Sequence, residues 1–135
     1  MKKATVRTLR EFLGLSIQNV ADSAGVNPRT VQRWEAVRPP EESDIPTSVE
    51  DYLGQILDWF QASADAILDE VDEYEEEYGR LPAVVNLSRY INDESAARAG
   101  LEVPASCHAA LQGYIMALLR AEGVAVEVDW VRPEE

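Results

Sequence analysis

Residues 16–35, SIQNVADSAGVNPRTVQRWE, predict two short helices joined by a tight turn. Ser16 is suited to cap the first helix through its hydroxyl, and Gly25 is suited to end it in the left-handed backbone conformation. Asn27 and Pro28 favour the N-cap and the first position of a second helix. The positions that would face inward carry a small residue where the helices cross and larger apolar residues around it: Ala21, Val20, Val26, Val31 and Trp34. This combination predicts a helix-turn-helix.

The side chains that would face outward from the second helix are polar and suited to reading base edges. An arginine such as Arg29 or Arg33 can donate two hydrogen bonds to guanine O6 and N7, and Gln32 can pair with adenine N6 and N7. Thr30 can contact a thymine methyl group. The competing interpretation is that these are solvated polar residues on an ordinary amphipathic helix.

Other residues near this helix are placed for phosphate contacts. Ser16 and Gln18 begin the first helix of the pair, where free backbone N–H groups and the helix dipole favour an anion. Lys2, Lys3 and Arg38 could supply further contacts of this kind. The predicted DNA-binding residues are Ser16, Gln18, Asn27, Pro28, Arg29, Thr30, Gln32, Arg33 and Arg38.

The charges of the chain are distributed unevenly. The formal net charge is -13, but residues 1–38 hold seven basic and three acidic side chains, for a net charge of +4. The other residues hold five basic and 22 acidic side chains, for a net charge of -17. A basic head on an acidic body is expected when only one end of a protein meets phosphate.

The chain beyond residue 46 has the patterns of a long helix and then of mixed helix and strand. Residues 47–79 carry apolar side chains at steps of three and four, which predicts one long helix. Residues 124–131 alternate and predict a half-buried strand that Pro133 ends. Between them lie a β-prone stretch, a loop or short helix, and a helix, at residues 83–90, 92–100 and 104–122.

These patterns predict an α+β fold that is mainly helical. Residues 1–79 would form a helix-turn-helix DNA-binding domain with the long helix 47–79, and residues 80–135 a small helix-plus-strand dimerisation region. One module reads too few base pairs to select an operator, whereas two on a two-fold axis read an inverted repeat. We therefore expect a homodimer through residues 81–132, aided by the long helix. The candidate interface residues are Leu118, Leu119, Val126, Val128 and Trp130.

A known family shares residues at fixed spacings between positions 5 and 46: Leu9-Arg10, Leu15-Ser16, Val20-Ala21, Gly25-Val26, Thr30-Val31, Arg33-Trp34-Glu35 and Ile45-Pro46. With these residues the segment resembles the Cro and lambda-repressor type (XRE-like) of helix-turn-helix in bacterial and phage regulators. The resemblance implies that Arg10 and Glu35 form an architectural ion pair rather than contacting DNA. The insertion 36–44, and the lack of a glycine soon after Glu35, depart from the family pattern and leave open how the chain leaves the recognition helix.

The order of elements over the whole chain is similar to that of a subgroup of these regulators. Val103-Pro104-Ala105-Ser106 before the last helix adds to this likeness. The subgroup includes YdiL-like proteins and the autorepressors encoded beside phage anti-CRISPR genes, which are homodimers built by a C-terminal domain. The resemblance implies a repressor of its own operon.

The sequence thus predicts a transcriptional regulator, a homodimeric repressor that binds a palindromic operator in double-stranded DNA. The alternative is an antitoxin-like or adaptor protein whose acidic body binds a basic protein partner, with the acidic run at residues 69–78 as the docking helix. That run is otherwise a solvated helix face. Selection of bound sequences from random duplexes, or a co-purified basic partner, would separate the two.

Other function classes find little support in the sequence. Cys107 and His108 are the only pair that hints at nucleophilic catalysis, but neighbours on a helix point about 100 degrees apart and cannot form a dyad. We expect no enzyme activity, no metal site and no cofactor. With one cysteine, no signal peptide and no long apolar run, we also expect a cytoplasmic protein without membrane contact.

Overall fold

The computed structural model describes residues 1–132, which divide into two compact units, residues 1–58 and residues 59–132. Six helices and two strands are assigned in the described residues: α1 Lys3–Phe12, α2 Ile17–Ala24, α3 Pro28–Trp34, α4 Thr47–Tyr78, β1 Val84–Arg89, α5 Asp93–Arg98, α6 Ala105–Ala121 and β2 Ala125–Trp130. The mainly helical α+β class is therefore confirmed. The two units divide between Asp58 and Trp59, inside α4, whereas the boundary predicted from the sequence lies after residue 79.

The ends of α2 and α3 follow the predicted capping residues. The Ser16 hydroxyl accepts a hydrogen bond from the Asn19 N–H at 2.9 Å, and the Asn19 side chain accepts one from the Ser16 N–H at 2.8 Å. Gly25 ends α2 with φ of 67°, a conformation that costs a residue with a side chain more than it costs glycine. The Asn27 side chain accepts from the Arg29 N–H at 2.9 Å, and Pro28 opens α3.

The core of the first unit lies where α1, α2, α3 and the start of α4 meet. Val26 is a partial exception to the predicted core, because it lies in the turn and is only half-buried. The fully or nearly fully buried apolar residues of this unit are Val6, Leu13, Leu15, Val20, Ala21, Val31, Trp34, Ile45, Val49, Leu53 and Ile56.

The insertion after α3 folds back onto the start of α1. The Lys3 N–H donates to the Glu41 carbonyl at 2.9 Å, and the Ser43 N–H donates to the Met1 carbonyl at 3.1 Å. Lys2 and Glu42 thereby form an isolated antiparallel bridge. The chain leaves α3 at Glu35 and returns to the N-terminus before α4 begins.

The second unit contains a two-stranded parallel sheet. β1 pairs with β2 in a register that runs from Val84 opposite Ala125 to Arg89 opposite Trp130. α5 and α6 connect the strands, and α6 contacts both of them. The buried apolar residues of this unit are Phe60, Ala64, Val71, Leu87, Ala96, Ala105, Cys107, Leu111, Ile115, Leu119 and Val124.

β2 is more exposed than the predicted half-buried strand. Val126 is half-buried, but Val128 is 37% exposed and Trp130 is 51% exposed. The Arg89 guanidinium carbon lies 4.9 Å from the centre of the Trp130 ring, a cation–π contact between paired residues. Leu119 is fully buried in the chain's own core, so its prediction as an interface residue is wrong. Pro133, predicted to end the strand, lies outside the described residues.

α4 closely matches the helix predicted for residues 47–79. Its apolar stripe is largely buried within the chain itself as far as Val71, while Tyr78 at its end is exposed. The acidic side chains of residues 69–78 are all exposed. No helix in residues 1–132 combines the length and apolar character needed to cross a bilayer.

His108 is a buried polar residue in the second unit. Its ring lies 5.1 Å from that of Tyr90, centre to centre, in an edge-to-face arrangement. Burial, and secondarily the positive charge of Arg89, lower the pKa of His108 from its usual 6.5.

We predict that His108, the only histidine, titrates in the folded protein below pH 6.5. Because the unfolded chain then binds the proton more tightly, the free energy of unfolding should fall as the pH falls from about 6.5 through the native pKa. A titration of the imidazole resonances by NMR measures the native value. A midpoint at or above 6.5 would contradict the buried environment.

Candidate nucleic-acid interface

A bidentate ion pair fixes the C-terminal end of α3 to α1. Arg10 Nε lies 2.7 Å from Glu35 Oε2, and Arg10 Nη2 lies 2.9 Å from Glu35 Oε1. The remaining Arg10 Nη1 donates to the Leu15 carbonyl at 2.9 Å, in the segment between α1 and α2. One guanidinium thus connects three segments of the first unit, and the pairing implied by the family resemblance is confirmed.

This ion pair is largely removed from solvent. Glu35 is 6% exposed, and the Arg10 side chain is 11% exposed. The hydrogen bonds to Glu35 are the main cause that raises the pKa of Arg10, against the opposing effect of burial. Because both groups are mostly desolvated, the loss of either would leave the other charge without its partner.

The ion pair and the core set the orientation of α3. Val31 and Trp34 are buried against the unit, and Arg29, Gln32 and Arg33 are exposed. Residues three and four positions apart lie on one side of a helix, so the three exposed residues share a face away from the core. In the described residues the side chains of Arg29 and Gln32 have no hydrogen-bond or ion-pair partner.

The remaining predicted residues of α3 have partly structural roles. Thr30 is half-buried, and its hydroxyl lies 3.3 Å from Arg33 Nη2. Asn27 is exposed, with its side chain used to cap the helix, and Pro28 is half-buried. These residues border the exposed face and fix the start of α3.

Ser16 and Gln18 are exposed at the start of α2, but internal hydrogen bonds occupy some of their polar groups. The capping box uses the N–H groups of Ser16 and Asn19. The Gln18 side chain donates to Asp22 at 2.7 Å. The N–H groups of Ile17 and Gln18 lie in the first turn, where a helix offers them no internal acceptor.

Arg38 lies apart from α3, in the insertion that returns to α1. Its carbonyl accepts a hydrogen bond from Lys3 Nζ at 3.4 Å. A cleft of about 600 Å³ opens between this segment and α1, and its basic lining residues are Lys2, Lys3, Arg7 and Arg38. Arg7 was not predicted from the sequence, because its place in this cleft depends on how the insertion folds. Arg7 is also paired with Glu11, with Arg7 Nε 2.7 Å from Glu11 Oε1.

The surroundings of Cys107, and of the side chains that could bind a metal ion, bear on whether the protein has a catalytic site. Cys107 is fully buried, and burial raises its pKa to about 12, so the thiol stays protonated at neutral pH. Within residues 1–132 no cluster of three or more His, Cys, Asp or Glu side chains could hold a metal ion.

Comparison with protein-family models gives no match. Comparison with curated protein sequences also gives none.

We predict that Glu35→Gln lowers the free energy of unfolding by about 3 kcal/mol, because it disrupts the charge-assisted hydrogen bonds of the mostly buried Arg10 guanidinium and leaves it only the exposed Glu11 carboxylate at 3.8 Å. The matched control is Glu94→Gln, which breaks the exposed pair with Arg98 on α5 and should leave the free energy of unfolding nearly unchanged. Urea denaturation followed by circular dichroism measures both. Similar losses in the two variants would mean that the Arg10–Glu35 pair has no special structural role.

Proposed function

We propose that the protein is a sequence-specific DNA-binding transcriptional regulator, with α2 and α3 as a helix-turn-helix and α3 as the recognition helix. The observation that carries this proposal is the exposed face of Arg29, Gln32 and Arg33 on a helix whose other side is buried. Net positive charge in residues 1–38 supports it, because the rest of the chain is strongly acidic.

The exposed side chains of α3 suit the major groove. An α-helix with its side chains is about 10–12 Å wide, and the major groove is about 12 Å wide. Arg29 and Arg33 supply forked donors for guanine, and Gln32 supplies the donor and acceptor that adenine requires. Thr30, beside Arg33, offers a methyl group to thymine.

Phosphate contacts would hold α3 in register without reading sequence. The N–H groups at the start of α2, with the side chains of Ser16 and Gln18, are suited to one strand's backbone. Gln18 would have to exchange its bond to Asp22 for a phosphate oxygen. Asn27 and Pro28 border the interface at the start of α3, and Arg38, in the insertion beside α1, would add a separate phosphate contact.

A homodimer would let the protein recognise a DNA site long enough to serve as a specific operator. Val128 and Trp130 leave apolar surface exposed on β2, and the half-buried Val126 and Leu118 lie in the same unit. A second copy covering this surface would pair two recognition helices on a two-fold axis. We therefore propose a cytoplasmic repressor of its own operon that occludes a promoter at an inverted repeat.

Selection of bound sequences from random duplex DNA should recover an inverted repeat. Its half-sites should be spaced by about one helical turn, 10–10.5 base pairs, or a multiple of it. Val128→Asp should weaken the dimer and reduce the recovery of the second half-site, whereas Ala62→Asp, at an exposed position of α4 away from β2 and from the DNA-binding residues, should not. Recovery of single half-sites by the unaltered protein would contradict the dimer, and no enrichment at all would contradict the function.

Gln32→Ala should weaken binding to the selected site by about 1–3 kcal/mol and change binding to random DNA little, because it removes a base contact and no charge. Gln55→Ala, an exposed glutamine on α4 in the same unit, is the matched control and should bind like the unaltered protein. Fluorescence anisotropy at fixed salt measures both affinities. Equal losses on the selected site and on random DNA would show that Gln32 does not read a base.

A further inference from the structure

The insertion after α3, residues 36–44, departs from the pattern of the family that the sequence resembles, and it builds one wall of the cleft beside α1. The volume of this cleft, about 600 Å³, is within the range of small-molecule sites. Backbone hydrogen bonds from Lys3 to Glu41 and from Ser43 to Met1 hold the wall against the N-terminus. The base-reading face proposed for α3 lies outside the cleft lining, so reading of bases leaves the cleft without a role.

Cationic side chains line the cleft from both of its walls. Lys2 and Lys3 belong to the α1 side, and Arg38 belongs to the insertion. Among residues 1–132, no carboxylate lies within ion-pair distance of any of these three side chains. Lys3 Nζ uses one of its three donors on the Arg38 carbonyl, at 3.4 Å, so two donors remain. The cleft therefore holds three cations that the described residues leave without a counter-ion.

The acidic residues of the cleft lining, Glu11, Glu35 and Glu41, balance only part of this charge. Glu11 is paired with Arg7, and Glu35 is paired with Arg10, each with a shortest N–O distance of 2.7 Å. These two carboxylates are thus neutralised by cations other than the three above. Glu41 alone remains to oppose three positive charges, so the cleft has an excess of positive charge.

A phosphate group matches the chemistry of these cations. Ammonium and guanidinium groups offer only donors, and the oxygens of an ionised phosphate are acceptors. The fork of Arg38 can donate two parallel hydrogen bonds to phosphate, while the lysines supply mobile point charges. Ala4 also lines the cleft, in the first turn of α1, where a helix offers the backbone N–H groups no internal acceptor. The backbone and the side chains of this wall thus favour the same kind of ligand.

We propose that the cleft between α1 and the insertion is a phosphate-binding site, in which Lys2, Lys3 and Arg38 hold the phosphate group. The phosphate belongs either to the DNA backbone, beside the bases that α3 reads, or to a free phosphorylated small molecule. The first source rests on the proposed function, and the second does not. In both cases the insertion exists to carry Arg38 to the wall opposite the two lysines.

The test titrates inorganic pyrophosphate into the ¹⁵N-labelled full-length chain at constant ionic strength and without DNA. The backbone amides of residues 2–4 and 36–38 should shift saturably. Arg38→Ala should raise the dissociation constant about tenfold, because it removes a charge-assisted contact but keeps the carbonyl that binds Lys3. Arg120→Ala, at an exposed position of α6, removes the same charge outside the cleft and should bind pyrophosphate like the unaltered chain. Shifts that do not saturate, or equal losses of affinity in the two variants, would overturn the proposal.

The salt dependence of binding to the selected duplex then separates the two sources of phosphate. If the DNA backbone fills the cleft, the slope of log K against log salt concentration should be shallower by about 0.9 in Arg38→Ala than in Arg120→Ala. Equal slopes, together with saturable binding of pyrophosphate, would assign the site to a free phosphorylated ligand. Because the pyrophosphate titration needs no DNA, its failure overturns the phosphate site alone, while selection from random duplexes still tests the proposed function.

Discussion

The Arg10–Glu35 ion pair is the interaction on which the first unit depends. Its two short hydrogen bonds join α1 to the end of α3, and the third bond of the guanidinium holds the segment that leads into α2. A buried charge pair is stabilising only when its geometry is good and its remaining donors are satisfied. The geometry is good here, and three of the guanidinium's N–H groups have acceptors, so the ion pair adds to the packing of Val31 and Trp34 in holding α3 against α1.

The exposed face of α3 follows from that constraint. With Val31 and Trp34 directed into the core, Arg29, Gln32 and Arg33 can only project outward. The proposed DNA contact also fits the charge distribution, because the acidic remainder of the chain would be repelled by phosphate while the basic head is attracted. Binding of this kind should weaken steeply with added salt, since each neutralised phosphate releases counterions.

The parts of the structure set by local sequence were the most predictable. Ser16, Gly25 and Asn27 act within a few residues of themselves, so their caps and turns could be predicted closely. The exposed face of α3 followed from helical spacing. The burial of Leu119, the exposure of Trp130, the parallel pairing of the strands and the return of the insertion to α1 depend on contacts between distant segments. The burial of His108 likewise depends on the fold, because a lone histidine on a helix does not by itself predict burial.

The most direct measurement is a titration of ¹⁵N-labelled protein with a selected duplex, followed through the backbone amide resonances. If α3 enters the major groove and the start of α2 meets phosphate, the largest shifts will lie in residues 16–18 and 27–33, with residues 69–78 unaffected. Shifts concentrated in the second unit, or none in residues 27–33, would contradict the proposed interface.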